Sequence, residues 1–392
     1  MGQKQAKRFT FSILMLMIGY AFINSTPSLF MNGMIKDFQL PNVEQGLISS
    51  IMNVGGLIAL VSMPLLQGRV KKWTMLLISG LIQFVISLCL GTVPLFWFVL
   101  AAYLILGLGL GLMDSYANSC IADINNGSQK HMALMHGTYG IGAFAAPLII
   151  QWLFEPPRNL PWQTVNYMIA AFVGALVLFF VLQTRRDSGI VSAASIDEPK
   201  LRMGEIKEYL KNKYNVQLIG AGVMYNASMA VSSLWVVRYA TVTYNDATSG
   251  AVALSVCWLC STISRFVAPA LKKRPLKLFA IGVSSMGVLQ IAGVLAGNQI
   301  MLIVAYGAIG LMSGQCMPML MNELTVKYPG RTSLPTSVSL FFMYCARIIM
   351  PIVVGYIAAI SNIAVGMLLP LITSLLGGWL SLIALRSDKS AA

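Results

Sequence analysis

Charge is what this sequence has least of. Asp, Glu, Lys and Arg together make up 10% of its 392 residues, against 57% hydrophobic, where a water-soluble chain carries about a quarter charged residues. That shortage excludes an ordinary soluble domain. Acidic side chains are scarcest, 13 against 27 basic ones, with His at 2. No metal-ligand cluster, nucleophile with a nearby base, or nucleotide-binding loop can be assembled from what is left. No enzymatic activity and no cofactor or metal is therefore expected. Cys257-x-x-Cys260 has the spacing of a metal or redox pair, but it has no second pair and falls in an apolar run, so it reads as packing. Gly107, Gly109 and Gly111 also lie inside an apolar run, where they allow close helix packing rather than cradle a phosphate.

Long hydrophobic stretches are what the chain does have. Twelve segments separate at polar or Pro/Gly breaks: 9–32, 43–68, 73–91, 94–122, 131–154, 163–184, 214–240, 247–271, 276–296, 299–323, 333–357 and 363–385. In hydrocarbon every backbone polar group must be satisfied within the protein, so runs of this length are helices. The first follows Lys4, Lys7 and Arg8 like a signal peptide, but it runs too far and lacks a small-residue cleavage site, so it reads as a retained span. The fold class is an all-α membrane protein of twelve spans.

The net charge of +14 is explained by where the basic residues fall. With the N-terminus inside, the inner segments hold Lys4, Lys7, Arg8, then Arg69, Lys71, Lys72, then Lys130, the stretch Arg185 to Lys213, Lys272, Lys273, Arg274, Lys277, Lys327, Arg331, Arg386 and Lys389. The outer loops hold only Lys36 and Arg158. This is the positive-inside pattern. It places both termini in the cytoplasm, predicts a multi-pass protein of the cytoplasmic (inner) membrane, and assigns the basic excess to an anionic leaflet rather than to nucleic acid.

The longest polar stretch splits the chain into an N-terminal bundle 1–184, a linker 185–213 and a C-terminal bundle 214–392. Within the linker, Met203–Lys213 puts Ile206, Tyr209 and Leu210 on one helical face, with Lys207 and Lys211 beside it. That pattern suits a short helix lying on the membrane surface. The two bundles repeat one another. Gly46-Leu47-Ile48-Ser49-Ser50 is echoed by Gly250-Ala251-Val252-Ala253-Leu254. Each of these segments runs through a proline, Pro64 or Pro269, into a basic turn. Gly111-Leu112-Met113-Asp114 is echoed by Gly310-Leu311-Met312-Ser313, and Pro147 by Pro351. Parallel repeats of this kind place a solute site at the midplane, on the axis between them.

Topology, the long central loop and the basic turns after the second and eighth segments resemble the major facilitator superfamily over essentially the whole chain. The helix 2–3 turn reads Gly68-Arg69-Val70-Lys71-Lys72 and lacks the family's acidic residue. A closer resemblance, to the fucose:proton symporter group of sugar transporters, is carried by three stretches. They are Leu40-Pro41-Asn42-Val43-Glu44-Gln45-Gly46, Gly107 through Asp114-Ser115-Tyr116-Ala117-Asn118, and His136-Gly137-Thr138-Tyr139-Gly140. The resemblance implies that Asp114, with Ser115, Ala117 and Asn118, forms a proton and sugar site. The group's second acidic position, on the first helix, falls near Ser28 and is not kept.

Asp114 is the one acidic residue deep in a span. Burial would raise its pKa and a nearby arginine would lower it, so it is the expected proton-coupling group. Arg347, also mid-span, needs a carboxylate or an anionic solute; Asp114 and a substrate anion are both open. The resemblance makes the first, fourth, seventh and tenth segments line the path, and so nominates Asn24, Ser28, Asn118, Tyr225, Asn226, Trp235 and Gln315 for solute contact. His136 and Tyr139 are secondary candidates on the fifth. Arg265 and Glu323 are expected to pair as a gate, and Arg238 to snorkel outward. The function expected is proton-coupled transport of a small polar solute, a sugar or a related compound, by a monomer whose partners are solute, protons and lipid. A proton-antiport exporter of amphipathic compounds, drawing on the 24 methionines, and a carrier of organic anions using Arg347 are the alternatives.

Overall fold

The computed structural model describes residues 3–66, 69–92, 94–125, 128–187, 202–267, 275–328 and 331–391. The proposed basic turn Lys272-Lys273-Arg274, with Pro269, and residues 188–201 of the linker lie outside the described residues, as does Gly68. The chain divides into two compact units, Met1–Pro41 with Leu47–Ile196, and Asn42–Gly46 with Asp197–Ala392.

The first unit is built from α1 (Gln3–Phe38), α2 (Asn42–Leu66), α3 (Lys72–Leu90), α4 (Phe96–Ile124), α5 (Gln129–Phe154) and α6 (Trp162–Thr184). The second holds α7 (Met203–Lys211), α8 (Lys213–Tyr244), α9 (Ala247–Val267), α10 (Pro275–Leu295), α11 (Gln299–Ser313), α12 (Cys316–Val326), α13 (Ser333–Ile360), α14 (Ile363–Gly366) and α15 (Leu369–Ala391). Among the described residues, eleven stretches are long and apolar enough to cross a membrane, with α11–α12 and α14–α15 each counting as one. The twelfth span is α8. It has 32 residues but falls short on hydropathy because Asn215, Asn226, Ser228 and Ser232 sit along it, all buried inside the unit. Those groups find partners there. Ser228 meets the Thr373 hydroxyl of α15 at 2.7 Å, and the Tyr306 hydroxyl of α11 donates to Ser232 O at 3.0 Å.

The repeat read from the sequence is a repeat of packing. In the first unit α1 packs on α5 and α6, and α3 on α4 and α6; in the second α8 packs on α13 and α15, and α10 on α11 and α15. The matched glycine segments do matched work. A Cβ at Gly111 of α4 would crowd the Ala59 side chain of α2 at 2.6 Å, and one at Gly310 of α11 would overlap Cys257 O of α9. Cys257 of the C-x-x-C pair is thus a packing residue, 5% exposed.

The tenth segment is not the single helix that 299–323 implies. It breaks at Gly314-Gln315 between α11 and α12. Pro318 is the cause. It has no N–H to give to the carbonyl four residues back, and its ring crowds that carbonyl. The carbonyl is Gly314 O, which the Arg265 guanidinium takes instead (Nε, 3.1 Å). Its neighbour Ser313 O is taken by the Tyr225 hydroxyl at 3.3 Å. Pro27 in α1 works the same way without a break, because the Thr26 hydroxyl donates to the freed Ile23 O at 2.8 Å.

The linker helix α7 departs from its expected role. Tyr209 does not face lipid; it is 3% exposed and packs edge-on against Tyr328, ring centroids 5.3 Å apart. Asn215 ties the two together by donating to Tyr209 O and to the Tyr328 hydroxyl. Glu205 pairs with Arg331. The Arg202 backbone N–H, and after it Arg331, hold the Glu205 carboxyl below the usual carboxylate range. A group lowered on folding stabilises the docked helix above its ordinary pKa and loses that effect as pH falls through the lowered value.

Two outcomes are expected. Gly310→Ala forces α11 away from α9 and should destabilise the protein by about 1–3 kcal/mol, seen as a lower melting temperature in detergent. Glu205→Gln should raise hydrogen–deuterium exchange in 203–211 at neutral pH, and acidification of the wild type below the carboxylate range should do the same.

Candidate functional site

In the first unit the expected residues form two pairs, one between α1 and α5 and one along α4. Asn24 on α1 donates to the Tyr139 hydroxyl of α5 at 3.2 Å. Tyr20, one turn earlier on α1, stands edge-on to the same ring at 5.4 Å. On α4, Asn118 donates through Nδ2 to the carboxylate of Asp114 at 3.1 Å and to its backbone carbonyl at 2.8 Å. The i, i+4 spacing makes this contact possible, since such residues stack on one helix face. Asp114, Asn118, Asn24, Tyr139 and His136 are all partly exposed, while Ser28 is 5% exposed. Asp114 lies about 15 Å from the end of α4 at 1.5 Å per residue. A carboxylate at such depth costs about 2.5–3.5 kcal/mol on insertion scales, so its retention calls for a use.

In the second unit Arg347 stands midway along the 28 residues of α13. Its Nε donates to Asn226 Oδ1 of α8 at 2.7 Å, and its guanidinium carbon lies 5.5 Å from the centre of the Tyr344 ring. Asn226 completes its own set by donating to Gly222 O at 2.9 Å. Tyr225, the next residue on α8, reaches the α11–α12 break as described, and Gln315 sits in that break, partly exposed. Of the expected solute residues of the second unit, Arg347 and Gln315 keep partly exposed side chains, while Tyr225 at 6% and Asn226 at 0% are enclosed. Trp235 is 0% exposed and has no open face on which a solute could stack.

The Arg265–Glu323 gate pair is not formed among the described residues. Arg265 is spent on Gly314 O, and Glu323 accepts from the Tyr214 hydroxyl, whose ring carries Lys327 Nζ at 3.7 Å. The reason is Pro318 again: it creates a bare carbonyl within reach of Arg265. Arg238 is half-buried on α8.

Sequence reasoning missed an ion pair in the first unit. Lys72, at the start of α3, binds the Asp123 carboxylate and donates to the Ser119 hydroxyl at 2.7 Å, both on α4. Each of the paired charges is 15% exposed. The basic turn before α3 lacks an acidic partner in its own sequence, and the partner comes from the far end of α4. Ser119 and Asp123 share a face at i, i+4, which is a signal the sequence did hold.

A family model of the major facilitator superfamily matches residues 11–333. The chain belongs to the major facilitator superfamily. Among solved structures, a mutant form of the nucleoside transporter NupG aligns with TM-score 0.80 at 12% identity, over 96% of this chain and 99% of that one. A bacterial homologue of the human lysosomal transporter Spinster, in an inward-facing and occupied conformation, aligns with TM-score 0.77 at 14% identity, over 98% of both chains. NupG without the mutation aligns at 0.75 and 13% identity. No curated protein sequence matches. At these identities the likeness is one of fold. Membership of the superfamily makes the chain a multi-pass membrane transporter of small molecules.

Lys72→Met strands Asp123 and should lower the unfolding free energy by about 1–2 kcal/mol. Pairing it with Asp123→Asn should restore most of the loss in a thermal melt.

Proposed function

We propose that this superfamily member is a secondary active carrier that moves a small polar solute across the cytoplasmic membrane, both termini inside, by proton-coupled alternating access. The observation that carries this reading is the Asp114–Asn118 pair on α4. A carboxylate deep in a membrane span, with a neutral amide on one of its oxygens, is a group whose proton occupancy can change as the path opens to either side. One elementary charge moved across 100 mV is worth about 2.3 kcal/mol, enough to drive accumulation.

The solute is a hydrogen-bonding one. Asn24 with Tyr139 in the first unit offers an amide and a phenol at partly exposed positions, and Arg347 in the second, held by the buried Asn226, offers a guanidinium, the combination that recognises hydroxylated rings. The helix-four motif supports a sugar. The solved structures named for nucleoside transport support a nucleoside, which carries a sugar of its own. The bilayer and a monomeric carrier complete the reading.

Proteoliposomes test it. With an acid-outside pH gradient, labelled sugars and nucleosides should accumulate in wild-type vesicles. Asp114→Asn should lose gradient-driven accumulation, by at least tenfold, while keeping exchange of internal for external solute. Full accumulation by that variant would remove Asp114 from the mechanism, and extrusion of lipophilic dyes with no polar-solute counterflow would replace the reading with an exporter.

A further inference from the structure

We propose that Arg347 and Arg265 form a receptor in the second unit for an oxyanion, a carboxylate or phosphate group, carried by the transported solute. This rests on the transport reading and narrows its substrate class from neutral to acidic polar solutes.

The argument is one of charge balance. Arg347 lies midway along α13, where a guanidinium is costly unless an anion answers it, and Arg265, in the last turn of α9, is turned onto the α11–α12 break. Among the described residues, every recorded partner of either is neutral: Asn226 Oδ1 and the Tyr344 ring for Arg347, and Gly314 O for Arg265. In each case only Nε is engaged. The terminal nitrogens, which form the flat fork that fits a carboxylate or phosphate with two parallel hydrogen bonds, have no recorded acceptor. The described carboxylates of residues 202–387 have other surroundings. Glu205 binds Arg331, Glu323 takes the Tyr214 hydroxyl, Asp246 accepts from the Thr248 and Ser249 amides at the start of α9, and Glu208 is exposed on α7.

The two cations bear on one place. Arg347 holds Asn226, the residue after Tyr225, whose hydroxyl reaches Ser313 O, and Arg265 takes the next carbonyl, Gly314 O. Ser313 supplies the independent observation. Its side chain is 0% exposed, and its hydroxyl has no hydrogen-bond partner, although buried hydroxyls are nearly always paired. A donor waiting at the break, next to two guanidinium forks, fits an acceptor-rich group that arrives with the solute. Asn226 holds Arg347 by Nε and so leaves the fork turned to other partners. Ser313 is also the position that the repeat matches to Asp114 in the first unit. The acidic coupling group of one bundle is thereby mirrored by the cationic half of the other.

The test is a binding measurement that needs no proton gradient, so it can fail or succeed separately from the Asp114→Asn experiment. Thermal unfolding of the purified full chain in detergent is followed with galacturonate against galactose, glucose 6-phosphate against glucose, and inorganic phosphate, all at constant ionic strength. At least one anionic probe should raise the melting temperature by about 3 °C at ten times its Kd, with the neutral counterpart at the same concentration giving a smaller shift. Arg347→Gln should abolish that shift, Arg347→Lys should retain only part of it, and Arg265→Gln should weaken it. Ligand-free Arg347→Gln should melt at or above the wild-type temperature, because an unanswered charge has been removed. The proposal is overturned if no anionic probe outdoes its neutral partner on the wild type, or if the shift persists unchanged in Arg347→Gln. A lower ligand-free melting temperature for that variant, with no anion shift in the wild type, would assign the arginine to structure alone.

Discussion

In a hydrocarbon solvent no water is at hand to satisfy a backbone carbonyl or amide, so each must be satisfied within the protein. The helices follow from that constraint, and so do the departures from helix that mark the candidate site. Where Pro318 strips Gly314 O of its partner, a charged side chain from α9 supplies one, and where Pro27 does the same to Ile23 O, a local hydroxyl suffices. The first remedy brings a guanidinium into the core of a bundle and leaves a break beside Tyr225 and Gln315. The second leaves α1 continuous from Gln3 to Phe38. One rule thus yields a plain helix in one place and a chemically equipped gap in another.

The same scarcity of solvent sets the value of each polar side chain. Some of the polar groups buried on α8 are matched to another helix, as Ser228 is to Thr373, and such contacts are worth about 0.6 kcal/mol each between membrane helices. Charges cannot be absorbed so cheaply. Lys72 and Asp123 cancel one another, as do Glu205 and Arg331. Arg265 is met by a carbonyl, and Arg347 by an amide and a ring. The paired charges tie helices together, and the two arginines keep their charge among neutral contacts.

Much of this was legible in the residues. Twelve helices follow from apolar run lengths, and the repeat showed in Gly111-Leu112-Met113-Asp114 and Gly310-Leu311-Met312-Ser313 before any packing was known. Asp114 and Arg347 stood out because charge within an apolar run is rare. The Asp114–Asn118 contact followed from i, i+4 spacing. What could not be read were contacts between helices far apart in sequence. The sequence pattern paired Arg265 with Glu323, and the fold gave each a different partner. Tyr209 read as a lipid-facing residue, and the fold covers it with Tyr328. Trp235 read as a platform for a solute, and its own bundle encloses it.

The sequence by itself determined the helix count, the repeat and which side chains carry charge into the membrane, because those depend on local composition and on a solvent that tolerates only one kind of spanning backbone. Only the tertiary structure decided which of those charges are cancelled and which are held by neutral groups. Cancellation depends on distances of a few ångströms between helices that lie dozens of residues apart in the chain, and no local pattern encodes them.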